Sequence, residues 1–253
     1  MNATASHDVA LSDQEIQLLE KLIQQLQSSP KDPKPQADQL AVVIKIATEW
    51  EPASRLPGLD ILRLCAVAPA FAQHTSSAGV NIIDTLAKTD VFSASGDRPN
   101  NTMLAVRVLG NLFASEEGRS IVDAAFESVN SYVDHFTSSS ANKGLAAAIA
   151  TLYINYAVLL VSGVPSLGSS TREQRAQAVI SGAVRLLKPE RDSETVYRAL
   201  VAVGTLLSLG HDFGRSVAHK QHIPDVLKTL ENSAVGKENR ISAVIREVRD
   251  QLR

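Results

Sequence analysis

Cysteine, aromatic residues, net charge and catalytic signatures are all scarce in this 253-residue chain, and each scarcity removes a class of protein. The single cysteine, Cys65, excludes an intramolecular disulfide and gives no zinc cluster, and such sparing use suits a reducing compartment. Aromatic residues make up only 4% of a chain that is 44% hydrophobic, so its core is built from Ala, Leu, Val and Ile. Strand-rich proteins lean on aromatics and on Thr/Val alternation, which is missing here; Ala and Leu are strong helix formers. A net charge of −2 and a pI of about 6.3 give no whole-molecule attraction for nucleic acid or anionic lipid, although a local basic patch stays open.

Targeting and spanning segments are missing as well. Met1 to Leu11 lack the basic-then-apolar pattern of a secretory leader. No apolar run reaches the length of a membrane span; Leu145 to Val164 comes nearest, and Asn155 with its neighbouring tyrosines makes that run a buried helix. The expectation is a protein of the cytoplasm and/or nucleus with neither a membrane nor a nucleic-acid partner.

Catalytic and metal motifs fail on spacing. Gly163-Val-Pro-Ser-Leu-Gly168 lacks the spacing of a nucleophile elbow and no strand precedes it. Gly236-Lys237 is followed by Glu238, not by the Ser or Thr of a phosphate-binding loop. Glu116 and Glu117 stand at a helix start, where acidic residues complement the dipole. His219 and His222 have no Cys, Asp or Glu partner at metal-ligand spacing, and Cys65 reads as a buried, inert thiol. No catalytic residue, metal or cofactor is expected, and the chain is not read as an enzyme.

Helix is what remains. Ser12 and Glu15 form a capping box ahead of Ile16, Leu19, Leu22, Ile23 and Leu26 at helical spacing. Ser28 to Gln36, with three prolines, reads as an extended surface connection. Further helices are predicted from Ala37 to about Trp50, from Pro57 to Ala68, from Gly79 to Lys88, and from Glu116 to about Phe136. Others run from a Thr171 cap through Leu187, after Gly210, from Pro224, and from Glu238 to Leu252. Between them lie long apolar helices that begin at Asn101, Asn142 and Glu194. With the helix near Leu59, these starts recur at roughly 40 to 50 residues, which suits degenerate two- or three-helix units of the HEAT and armadillo kind. The expected architecture is an all-α superhelix whose stacked helices leave a concave peptide-binding groove.

The long helices carry polar residues inside apolar faces. Asn111 and Asn155 each place an amide where a core residue would stand, and an amide there must find partners or line a groove. The blocks Asn101-Thr-Met-Leu-Ala-Val-Arg-Val-Leu-Gly-Asn-Leu-Phe113, Gly118, Ala148-Ile-Ala-Thr-Leu-Tyr-Ile-Asn-Tyr-Ala157 and Glu194-Thr-Val-Tyr-Arg-Ala-Leu-Val-Ala-Val-Gly-Thr-Leu-Leu207 resemble the PUL domain, a family named from phospholipase-activating protein and its yeast relatives. The match is best over residues 100–230; one domain over 1–253 is expected, with an N-terminal helix in 1–28 and the proline-rich connection in 29–36. The resemblance implies an armadillo-like adaptor that binds the C-terminal tail of the hexameric AAA ATPase valosin-containing protein and couples it to ubiquitin handling. The alternative is a helical-repeat scaffold for another partner, or an interaction domain of a larger protein. A monomer is the default for an adaptor facing a hexamer.

A tail peptide brings a free carboxylate, so its groove needs cations and amides. Arg107 lies four residues before Asn111 on the same helix face, and Arg198 is the corresponding cation of the third long helix. Arg107, Asn111, Asn155 and Arg198 are the first candidates for the groove; Tyr156, Tyr197 and Lys143 come second, with Tyr153 and Tyr156 as an aromatic wall about Asn155. Each has a bland counterpart: a buried amide satisfying a neighbouring carbonyl, a structural ion pair, or an ordinary core tyrosine.

Overall fold

The computed structural model describes residues 9–29, 32–77, 81–93, 98–139, 142–163, 167–188 and 191–253. Among these residues the chain forms fourteen α-helices and no strand. They divide into two compact units, one ending at Tyr132 and the other beginning at Val133.

The first unit holds α1 (Asp13–Ser28), α2 (Ala37–Thr48), α3 (Leu56–Cys65), α4 (Pro69–Ser77), α5 (Ile82–Ala87), α6 (Pro99–Leu112), α7 (Glu116–Ala124) and the start of α8 (Phe126–Ser139). The capping box at α1 forms as expected, with Ser12 N–H donating to Glu15 Oε2 at 2.8 Å and Glu15 N–H to Ser12 Oγ at 3.3 Å. Glu15 also takes Lys45 Nζ at 2.9 Å, fastening α1 to α2 and holding its carboxyl below the usual range. Trp50 is buried, its indole N–H on Val9 O at 2.9 Å. In the proline-rich connection Pro33 and Pro35 are buried while Asp32, Lys34 and Gln36 are exposed, so it is packed on one side rather than lying free on the surface; Pro30 and Lys31 lie outside the described residues.

One expected helix is shorter and followed by a helix that was not expected, and another is two. The run from Pro57 stops at Cys65, and α4 starts at Pro69, whose ring disfavours helix at the residue before it. The run from Glu116 breaks at Ala125, which leaves helical geometry at φ −98° and ψ 14°. The helix assigned to a Thr171 cap begins instead at Ser169, with Gly168 as its cap.

The second unit holds the rest of α8 with α9 (Lys143–Ser162), α10 (Ser169–Leu186), α11 (Ser193–Leu207), α12 (His211–Lys220), α13 (Ile223–Glu231) and α14 (Asn239–Gln251). Asn142 caps α9 and Asp192 caps α11. Here α9 packs most extensively on α11, α10 covers both, and α14 lies along α11. At 20 residues, with a mean hydropathy of 1.9 over its most apolar 18, α9 does reach the length and apolarity of a membrane span, contrary to the reading of its sequence; just over half of that stretch is buried inside the protein. Tyr153 of α9 fits against Gly182 of α10 so closely that a Cβ there would lie 2.2 Å from its hydroxyl.

Two corners share one construction. Leu112 ends α6, Ser115 caps α7, and Gly118 N–H donates to Ser115 Oγ at 3.0 Å; a Cβ on Gly118 would meet Leu112 O at 2.0 Å. In the second unit Leu230, Ser233 and Gly236 repeat it, with Gly236 N–H on Ser233 Oγ at 3.1 Å and a Cβ meeting Leu230 O at 1.9 Å. Only glycine lets the chain pass this close to the preceding helix end.

Candidate functional site

The expected groove residues fall in both units, and each unit presents its own face. In the first, α6 lies along α3. Asn111 is half-buried, and its Nδ2 donates to Arg63 O at 2.7 Å, spanning from one helix to the other. The amide thus closes the end of α3, where a carbonyl would otherwise lack a partner. Arg107, one turn earlier, is exposed and has no polar partner among the described residues. On α3, Arg63 adds a second guanidinium to this face, paired with Asp60 at 2.7 Å.

In the second unit, Lys143, Ala147, Thr151 and Asn155 succeed one another at four-residue steps along one face of α9. Arg198 of α11 reaches across to that face: its Nη1 donates to Thr151 Oγ1 at 2.5 Å and to Ala147 O at 3.5 Å. Its Nε binds Glu194 Oε1 at 2.7 Å, and Glu194 Oε2 in turn holds Arg240 Nη2 at 2.8 Å. The Arg240 guanidinium lies 4.9 Å from the centre of the Tyr197 ring. Hydrogen bonds from Arg240 and then from Arg198 hold the Glu194 carboxyl below its usual range. Arg198 and Tyr197 are therefore spoken for by the fold, which is the structural ion pair weighed against a groove role. Lys143 is exposed at the first turn of α9, and Asn155 is half-buried one turn beyond Thr151.

The aromatic wall is corrected. Tyr153 and Tyr156 are 1% and 2% exposed, so both rings are core and offer no surface to a peptide. Burial pushes the Tyr153 phenol well above its usual range. Tyrosine spacing around Asn155 could not distinguish core from groove, because an apolar helix packed on two sides buries nearly every large side chain. What α9 does expose is Val158 and Val161, near its C-terminal end.

Sequence reasoning missed Glu194, Arg240, Thr151 and Arg63. The Glu194/Arg198 pair had a local signal, opposite charges four residues apart on a helix. The Asp60/Arg63 pair, three apart on α3, had the same kind of signal; Arg240 had none, since its partner Glu194 comes from a distant segment. Among the described residues no group of His, Cys, Asp and Glu is placed to hold a metal ion.

With this geometry in place, similarity to known proteins adds the lineage. The PUL domain family model matches residues 1–247. The chain is 27% identical over 210 residues to a phospholipase A-2-activating protein of Xenopus laevis, covering 82% of this chain and 25% of that protein. It is 30% identical over 181 residues to the ubiquitin homeostasis protein lub1 of Schizosaccharomyces pombe, covering 67% of this chain and 22% of that protein. The chain thus spans about a quarter of the length of these curated relatives. A designed armadillo repeat protein superposes with a TM-score of 0.66 at 15% identity, over 95% of this chain and 99% of that one, so the fold is an armadillo-like helical repeat.

Proposed function

Because this chain belongs to the PUL domain family, we propose that it is a non-catalytic adaptor module that docks the C-terminal tail of the hexameric AAA segregase valosin-containing protein. In this reading it works as a monomer in the cytoplasm and/or nucleus and links the segregase to ubiquitin-dependent protein handling. The family match over residues 1–247 carries the proposal. The armadillo fold supports it, since stacked helices are typical of surfaces that take extended peptides.

Arg107 is the residue best suited to the tail. It is exposed and has no polar partner among the described residues, so its planar fork is available to a carboxylate without first breaking a bond. Asn111, a turn away, brings an amide to the same helix. Arg198 is less available: an arriving carboxylate must compete with Glu194 and Thr151. That prior occupation favours, as a second reading, a scaffold in which the face of α9 and α11 serves a different partner.

A fluorescence titration with a labelled peptide copying the last ten or so residues of the segregase tests the proposal. Saturable binding by the folded chain is expected. Absence of binding by folded protein would leave the family intact and remove this partner.

A further inference from the structure

The first unit contains a cavity of about 520 Å³ that none of the expected groove residues lines. Its walls come from the Pro52–Arg55 corner, the turn from Lys88 to Ser93, and the first turn of α6. Among the described residues that line it, three cations (Arg55, Lys88 and Arg98) face one carboxylate, Asp90; Glu51, next to the Pro52 corner, also acts on Arg55. None of the three cations forms an ion pair among the described residues, unlike Arg63, Arg198, Arg240 and Arg249 elsewhere in the chain.

The walls are fastened to one another by bonds between the three segments. Asn101, 8% exposed, donates from Nδ2 to Pro52 O at 2.8 Å. Thr102, 4% exposed, donates from Oγ1 to Val91 O at 2.7 Å. Arg55 is half-buried; its Nε donates to Trp50 O and its Nη1 to Thr89 O at 2.9 Å. That leaves Nη2 without a partner among the described residues, on a guanidinium that cannot swing away. Burial lowers the Arg55 pKa, outweighing the opposite pull of the Glu51 and Asp90 carboxylates. The first turn of α6 adds no acidic residue and no side-chain cap, so the positive end of its dipole is not neutralised from within the helix.

We propose that this cavity is a second binding site, taking the phosphate or pyrophosphate group of a small organic molecule. A rigid guanidinium with a spare edge, joined by a lysine and a second arginine, matches a multiply charged group with several equatorial oxygens better than a single carboxylate. The cavity lies within the usual range for small-molecule sites and is larger than a phosphate alone, so the group arrives on a larger molecule. The site does not depend on the tail-binding reading and uses none of its residues.

Inorganic pyrophosphate is the probe, titrated into the full chain at fixed ionic strength and followed by amide NMR, with citrate as the carboxylate comparison. Saturable shifts centred on Thr89, Asp90, Asn101 and Thr102 are expected, with citrate at least about tenfold weaker. The double variant Lys88→Glu/Arg98→Glu changes two exposed side chains and leaves the fastening bonds of Arg55 alone. It should weaken pyrophosphate about tenfold or more while its circular dichroism and its binding of the tail peptide stay unchanged. Shifts that do not saturate, that scatter over other basic residues, or that persist in the double variant would overturn the site. Equal binding of citrate would overturn its preference for phosphate.

Discussion

Substituting Gly118 by alanine tests whether the corner between α6 and α7 is built as described. The added Cβ would lie 2.0 Å from Leu112 O and 2.9 Å from both Leu112 C and Ser115 Oγ. Two of those three atoms are backbone, so no rotamer change relieves the overlap; α7 must move off the end of α6. Overpacking of this kind costs about 1–3 kcal/mol. Displacing Gly118 N–H from Ser115 Oγ removes the helix cap, at a further cost of about 1 kcal/mol. Alanine returns up to about 1 kcal/mol through its better helix propensity, less than that in a first turn. The net expectation is a loss of about 1–4 kcal/mol, or a fall in Tm of roughly 2–16 °C for a chain of this size. Urea unfolding followed by circular dichroism gives the number. Ser115→Ala is the companion: it loses the cap without the overlap and should cost about 1 kcal/mol. A Gly118→Ala protein as stable as its parent would refute the close approach, and with it the explanation of the repeated Leu112/Ser115/Gly118 and Leu230/Ser233/Gly236 corners.

Other consequences are smaller. Glu15, Glu194 and Glu231 are held below their usual value of 4.5 by Lys45, by Arg240 and Arg198, and by Arg249. A depressed carboxylate pKa stabilises the fold above the unfolded value and loses that contribution as pH falls through the folded value. Thermal stability should therefore drop below about pH 4.5, and Glu194→Gln should flatten the acid side of the profile; an unchanged profile would contradict the role of Glu194. Burial pushes the Cys65 thiol up to about 12, so it should resist an aromatic disulfide reagent at pH 8 in the native protein and react fully in urea. Rapid native labelling would show that α3 opens readily. Tyr153→Phe removes a buried hydroxyl that has no hydrogen-bond partner among the described residues, so stability should hold or rise by about 1 kcal/mol; a loss greater than that would mean the hydroxyl has a partner in solution.

Much of the helical order was legible because its signals are local. The Ser12/Glu15 box and the proline in the first turn of α3 each act within four residues, and each stands where it was expected. The break at Ala125 was not legible, since alanine carries no signal for it. Neither was the start of α10, where Ser169, Ser170 and Thr171 are chemically near-equivalent caps. At the candidate site the residue types were legible but their engagements were not. Asn111 finds its carbonyl 48 positions away, and Arg198 finds Thr151 at a separation of 47. Periodicity could say that these side chains share faces with apolar neighbours; only packing decides whether they face solvent, as Arg107 does, or another helix, as Arg198 does. The cavity at Arg55 draws its lining from three segments and leaves no motif in any of them.

The central claim is that Arg107 offers an unoccupied cation to a peptide tail, and the titration of Arg107→Glu against the parent chain tests it most directly. The residue is exposed and has no polar partner among the described residues, so the variant should match the parent in circular dichroism and urea unfolding. Loss of one charge-assisted contact removes about 1.5–3 kcal/mol, which weakens the tail peptide roughly 10- to 150-fold. Arg198→Glu is the poorer probe because it sets a second carboxylate beside Glu194 and disturbs the fold as well as the surface. A folded Arg107→Glu protein that binds the tail as tightly as its parent would contradict the account.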